Sequence, residues 1–232
     1  MRIGIIGAME EEVNILKQRM EQQKQYNIHG HKFFTGKIAG KEVVLLRSGI
    51  GKVNAAMAAT VFNREFPCEY LINVGSAGAI NPNLKIGDIV ISSELCYHDV
   101  DVTAFGYKLG QVPNMPHTYK SDPMLINIAE ESGVKTIAQK VCTGLIISGD
   151  SFMNNKEKTD AIKNFFLDAQ AIEMEACAIA QVCYVFKVPF VVIRSISDTA
   201  DHSSHIDFKK FLELAVNNVS ELVTEMIKKI KI

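Results

Sequence analysis

Apolar residues recur along this chain in short unbroken runs, separated by segments in which they are spaced as on a helix. The runs at 2–6, 42–47, 70–74, 88–92, 141–147 and 190–193 are rich in Val, Ile and Leu and have the length of strands. Their continuity predicts a sheet covered on both faces. Between them, 10–20, 53–62, 174–186 and a terminal stretch carrying Phe208, Phe211, Leu212, Ala215, Val219, Leu222, Met226 and Ile230 follow the period of an amphipathic helix. Strands and helices in turn predict an α/β layered fold. No repeat, low-complexity tract or linker interrupts residues 1–232, which read as one domain. Residues 97–119, with Gly106, Gly110, Pro113 and Pro116, form a long excursion, and long loops in compact domains usually serve a function or an interface.

Composition narrows the field. With 232 residues, 47% of them hydrophobic, the chain can bury one sizeable core. A net charge of -1, with both signs interspersed, lacks the basic excess that a partner such as polymeric nucleic acid requires. The five cysteines are odd in number, contain no C-x-x-C pair and sit mostly in apolar runs, which suits reduced thiols and offers no zinc site. The apolar start at 3–9 is too short for a signal-peptide core and runs into three glutamates, and no apolar run approaches membrane-spanning length. The expected location is the cytoplasm, away from membranes.

Small or polar residues follow the strands repeatedly, at 7–9, 48–51, 75–78, 148–150 and 195–198. In parallel-rich sheets ligands gather outside the carboxyl ends of strands, so five such loops could line one site; taken singly, each is also an ordinary turn. Gly49-Ile50-Gly51-Lys52 lacks the spacing of a Walker loop and is followed by Val53, and Asn54 stands where a dinucleotide fingerprint needs its third glycine. Close backbone approach to a small ligand is the remaining use for these glycines.

Three acidic segments carry candidate chemistry. Glu10, Glu11 and Glu12 sit at a helix start, where carboxylates interact favourably with the amino terminus. On a wheel of about 100° per residue Glu11 points away from the apolar face, whereas Glu12 lies roughly 70° from its centre and is the candidate for a buried, reactive carboxylate. In Ala171-Ile172-Glu173-Met174-Glu175-Ala176 the acids either serve a helix amino terminus or accept hydrogen bonds from a vicinal diol, with Met174 offering an apolar surface to a sugar. Asp198 ends a buried run, where it is either a turn residue or a carboxyl group whose pKa is raised by desolvation so that it can donate a proton. Asp201, His202 and His205 read as loop residues without metal-ligand spacing.

Taken together, Ile3 to Val13, Ser48 to Val53, Asn73 to Gly78, His98 to Tyr107, Ser148 to Asp150, Glu173 to Glu175 and Arg194 to Asp198 closely resemble the methylthioadenosine/S-adenosylhomocysteine nucleosidases of the nucleoside phosphorylase superfamily, over essentially the whole chain. The resemblance implies a three-layer α/β/α sandwich with a mixed, largely parallel central sheet, a homodimer, and no metal or organic cofactor. It implies that Glu12 activates water, Asp198 protonates N7 of adenine, Ser197 supports Asp198, and Glu175 holds the ribose diol. Phe152 would stack on the base, the backbone of Met153 would read its edge, Ser76 and Arg194 would help place the water, and Gly78 would permit close approach. Met9, Ile50, Met174 and Phe208 would form the alkylthio slot, together with Val102, Phe105 and Pro113 from a partner subunit.

Cleaving an N-glycosidic bond passes through an oxocarbenium-like sugar, which requires an acid at the leaving group and a base holding water opposite it. Glu12 and Asp198 fit that division if their environments differ. Two other readings remain. A phosphorylase would need basic groups around phosphate, for which Arg47 and Arg194 are available, although such relatives commonly carry arginine where this chain has Asn73. A nucleoside sensor would keep the pocket and lack turnover.

Overall fold

The computed structural model describes residues 2–137, 139–200 and 204–231, which in order form β1 (Ile3–Gly7), α1 (Glu10–Gln18), β2 (Glu21–Ile28), β3 (His31–Ile38), β4 (Lys41–Arg47), α2 (Lys52–Glu65), β5 (Tyr70–Ala79) and β6 (Ile89–Tyr97), then β7 (Tyr119–Lys120), α3 (Pro123–Thr136), β8 (Val141–Ser148), α4 (Lys156–Phe165), β9 (Ala169–Glu173), α5 (Ala176–Phe186), β10 (Phe190–Asp198) and α6 (Ser204–Lys229). One mixed sheet contains all the strands, with β4, β1, β5 and β10 successively parallel, β6, β8 and β9 likewise, and the two sets joined antiparallel at β10–β6 and β5–β9. Those two junctions close a ring through β5, β10, β6, β8 and β9, so the sheet curls and its strand ends converge.

The two-sided burial predicted from the apolar runs is present. On β4, Val44 and Leu46 join the core beneath α2 and α5, while Val43 and Leu45 join the core beneath α1, α3 and α6. This follows from the two-residue side-chain period of a strand. Each fully buried Ile or Leu in these layers contributes about 1.5–3 kcal/mol relative to exposure. The result is an α/β/α sandwich. All five cysteines are free.

Three departures from the sequence reading bear on the site. Residues 75–78 and 195–198, expected as loops, continue β5 and β10, because the parallel register runs on through Arg194 opposite Gly75, Ser195 opposite Ser76 and Ile196 opposite Ala77. An irregularity then brings Asp198 opposite Gly78, the kind of bulge that re-aims a side chain. His205, expected in a loop, belongs to the first turn of α6, while Asp201 and His202 lie outside the described residues. The excursion is irregular as expected, apart from a short 3-10 turn at Thr103–Phe105.

Candidate active site

The convergent strand ends surround a cavity of about 360 Å³ lined by Ala8, Met9, Glu12, Ile50, Ser76, Ala77, Gly78, Phe152, Ile172, Glu173, Met174, Glu175, Ser197, Asp198 and Phe208. A narrow inner recess shares Gly78, Phe152, Met174 and Asp198 with it and adds Met153. A larger hollow, about 620 Å³, lies between β7, the amino end of α3 and the carboxyl end of α5, but it collects no comparable carboxylates. The lining of the smaller cavity is apolar with a few converging polar groups, the usual form of a small-molecule site.

Glu12 reaches this cavity from the first turn of α1 and is only 5% exposed. Its Oε2 accepts the backbone N–H groups of Ala8 at 2.8 Å and Met9 at 3.1 Å, so the side chain also caps its own helix. Its Oε1 accepts the backbone N–H and hydroxyl of Ser76 at 3.0 and 3.2 Å. Four donors and no acceptor match an ionised carboxylate. Glu10 and Glu11, by contrast, are exposed, the latter as the helical wheel predicts.

Asp198 is 3% exposed. Burial raises its pKa above the ordinary carboxylate range, against the opposing effect of hydrogen bonds from Ala200 N–H at 2.9 Å, Ser197 Oγ at 2.9 Å and the Ser204 side chain. A Cβ on Gly78 would stand 2.9 Å from Asp198 Oδ1, so glycine is needed there for close approach.

Glu173 and Glu175 divide the two uses that the sequence leaves open. Glu173 accepts from Glu175 N–H, Ala176 N–H and Ser148 Oγ, and pairs with the fully buried Arg194 at 2.7 Å; it anchors the amino end of α5. Glu175 accepts the backbone N–H of Gly51 at 2.8 Å. Burial, followed by the neighbouring Glu173, pushes the Glu175 pKa up to about 8. Both carboxylates line the cavity, but Glu173 is committed to the fold.

Of the residues expected at the site, Met9, Glu12, Ile50, Ser76, Gly78, Phe152, Met174, Glu175, Ser197, Asp198 and Phe208 share the cavity, and Met153 adjoins it. The Phe152 and Phe208 rings meet edge to face, with centroids 5.9 Å apart. Arg194 is absent from the lining: its guanidinium donates to Glu173 and to Asn73 Oδ1, both at 2.7 Å. Val102, Phe105 and Pro113 do not reach this chain's own cavity, and Phe105 is 81% exposed. Arg47 turns outward and pairs with Glu10 at 3.2 Å. Sequence reasoning left open which of Glu173 and Glu175 anchors the helix, and it missed a network of Lys52, Asp99 and Asp150, whose members lie far apart in the chain. Among the described residues no cluster of three or more His, Cys, Asp or Glu side chains could hold a metal ion, and no helix is long and apolar enough to cross a membrane.

Known proteins resemble this chain over almost its whole length. The phosphorylase superfamily matches residues 2–228. A 5′-methylthioadenosine/S-adenosylhomocysteine nucleosidase of Bacillus subtilis strain 168 is 49% identical over 230 residues, spanning 99% of this chain and 100% of that one. The chain belongs to this nucleosidase family. It is therefore an N-glycosyl hydrolase by family. The Neisseria meningitidis nucleosidase in complex with methylthio-immucillin-A superposes with a TM-score of 0.97 at 44% identity, covering 99% of each chain. The futalosine hydrolase of Helicobacter pylori has a TM-score of 0.92 at 33% identity, covering 99% of this chain and 98% of that one.

Proposed function

We propose that this enzyme hydrolyses the N-glycosidic bond of 5′-methylthioadenosine and S-adenosylhomocysteine, and also of 5′-deoxyadenosine, releasing adenine and the 5-substituted ribose. The observation that carries the reading is that Glu12 and Asp198 line one small cavity in unlike surroundings, one held by four donors and the other raised in pKa by burial. Glu12 takes a proton from water as its oxygen bonds to C1′. The C1′–N9 bond breaks, its electron pair passes into adenine, and Asp198 gives its proton to N7. Each transfer contributes about 10²–10⁴ in rate.

Glu175 accepts the ribose hydroxyls, Phe152 stacks on the base, the Met153 backbone reads its edge, and Ser197 and Ser76 hold the two catalytic carboxyl groups. Arg194 acts from behind the site, through Glu173 and Asn73. Met9, Ile50, Met174 and Phe208 receive the alkylthio group with the partner subunit's Val102, Phe105 and Pro113, in a cytoplasmic homodimer. The exposed Phe105 on the excursion supports that reading. Residues 1–232 act as one nucleosidase domain in methionine salvage and the removal of methyl-cycle by-products. Water is favoured over phosphate because, among the described residues, no Lys or Arg lines the cavity, and Glu12 would repel an anion there.

Chromatographic analysis of products from methylthioadenosine, with and without added phosphate, tests the reading. Adenine and free methylthioribose are expected in both buffers. Activity only with phosphate, yielding the sugar 1-phosphate, would make this a phosphorylase, and binding without turnover would make it a sensor.

A further inference from the structure

The amino end of α2 is held by carboxylates from two other segments. Its N-cap, Gly51, has no side chain, and its first turn has no acidic residue. The Gly51 N–H donates to Glu175 Oε1 at 2.8 Å, and the next amide, Lys52 N–H, donates to Asp150 Oδ1 at 2.7 Å. These are the unpaired amides of a helix start, and each is paired with a carboxyl oxygen from another segment.

The second contact belongs to a closed circuit. The Lys52 ammonium lies 2.7 Å from each oxygen of Asp99, and Asp99 Oδ2 accepts the backbone N–H of Asp150 at 2.9 Å. Asp150 thus grips the backbone of Lys52, while the side chain of Lys52 grips Asp99 and, through it, the backbone of Asp150. The circuit ties together the loops after β4, β6 and β8. It also explains the glycine: at φ 95° and ψ 157° Gly51 occupies a conformation open in practice to glycine alone, and a Cβ there would stand 3.1 Å from Asp150 Oδ1. None of the three side chains lines the cavity.

We propose that Asp150, locked by the Lys52–Asp99 pair, is a positioning residue for ribose recognition: it fixes the amino end of α2 so that the Gly51 N–H holds the Glu175 carboxyl group toward the 2′,3′-diol. This rests on Glu175 as the group that binds the diol. The amides of Gly51 and Lys52 are adjacent, so a backbone movement that releases Lys52 from Asp150 also turns Gly51 away from Glu175. A cap that served only helix stability would leave substrate selectivity untouched.

The test compares KM and kcat for methylthioadenosine and its 2′-deoxy analogue in the parent, Asp150→Ala and Asp150→Asn. The parent is expected to favour the ribonucleoside in KM. In Asp150→Ala the KM for methylthioadenosine should rise about tenfold, the upper scale of one lost hydrogen bond, with the analogue changed by less than about twofold on the same scale. Asp150→Asn keeps an oxygen facing Lys52 N–H and should restore most of the preference. An equal rise for both substrates, or no change, overturns the proposal while leaving Glu175 in its role. A parent with no preference for the ribonucleoside removes the role of Glu175, and the proposal with it.

Discussion

Ser76 meets Glu12 twice, through its backbone N–H at 3.0 Å and its hydroxyl at 3.2 Å, both on the same carboxylate oxygen. A residue of β5 thereby fixes the direction of a side chain carried by α1, and the backbone of Ala8 and Met9 fixes the other oxygen. A general base must be aimed before its substrate arrives, and in the proposed role Glu12 is aimed by a strand residue and by the turn that enters its own helix.

Replacing Glu12 with Gln should abolish turnover while sparing binding. The amide retains one acceptor oxygen and turns two N–H donors toward groups that are themselves donors. We expect kcat for methylthioadenosine to fall by about 10²–10⁴, and urea unfolding to show a loss of about 1–3 kcal/mol from the buried amides left unpaired. Retention of more than a tenth of the parent kcat would remove Glu12 from its role as base.

If Asp198 is the proposed general acid, it should set the alkaline limb of the rate profile. Its pKa is raised by burial, so the acid form persists above the ordinary carboxylate range, and kcat falls as pH rises through the raised value. Ser197 Oγ donates to Asp198 Oδ2 and favours the ionised form. Ser197→Ala should therefore move the alkaline limb to higher pH, whereas Asp198→Asn should eliminate it with most of the activity. A limb displaced to lower pH in Ser197→Ala would show that the hydroxyl favours the acid form.

Much of this was legible in the sequence, for identifiable reasons. The apolar runs of β1, β4, β5, β6 and β10 are buried on both faces, which leaves a strong signal, and Glu12 is betrayed by its angle to Val13 and Leu16. β2 leaves almost none: Glu21–Ile28 is polar and exposed along nearly all its length, and only its pairing with β3 makes it a strand. Helix α4 buries only Thr159 and is polar over most of its length, so it offers few apolar positions to read, although Asn155 caps it. The ends of β5 and β10 read as loops because Gly, Ser and Ala there serve close approach instead of strand propensity. The distinction between Glu173 and Glu175 could not be read at all, since it depends on Arg194 and Gly51, which come from β10 and the loop after β4.

Glu175 should impose a pH dependence on stability. Its pKa is raised from 4.5 to about 8 by burial and then by Glu173. Between those values the folded protein keeps a proton that the unfolded chain has released, so this group's contribution to stability is lost as pH rises through the window. Relative to the parent, Glu175→Gln should become progressively more stable from pH 5 to pH 8, by about 1 kcal/mol per unit. Urea midpoints at three pH values measure the difference, in which Asp198 cancels. A difference independent of pH would mean that Glu175 titrates as an ordinary glutamate.

Gly75 and Gly30 make a matched pair for separating backbone strain from crowding. At Gly75 a Cβ would stand 2.8 Å from Glu12 Oε1, 3.1 Å from its Cδ and 3.3 Å from an Arg194 guanidinium nitrogen. The carboxylate is the end of a side chain, but four hydrogen bonds hold it, so it can yield only by giving some of them up. Gly75→Ala should lower kcat by on the order of 10², the consequence of misplacing a catalytic group by about 1 Å, with a stability loss of about 1–3 kcal/mol from the broken hydrogen bonds. At Gly30 the backbone has φ +82° and nothing lies within 4 Å of the added carbon. Gly30→Ala should cost about 1 kcal/mol from the left-handed conformation and leave kcat unchanged. Equal kcat in the two variants would show that the Glu12 carboxylate tolerates displacement, and that its hydrogen bonds serve the fold alone.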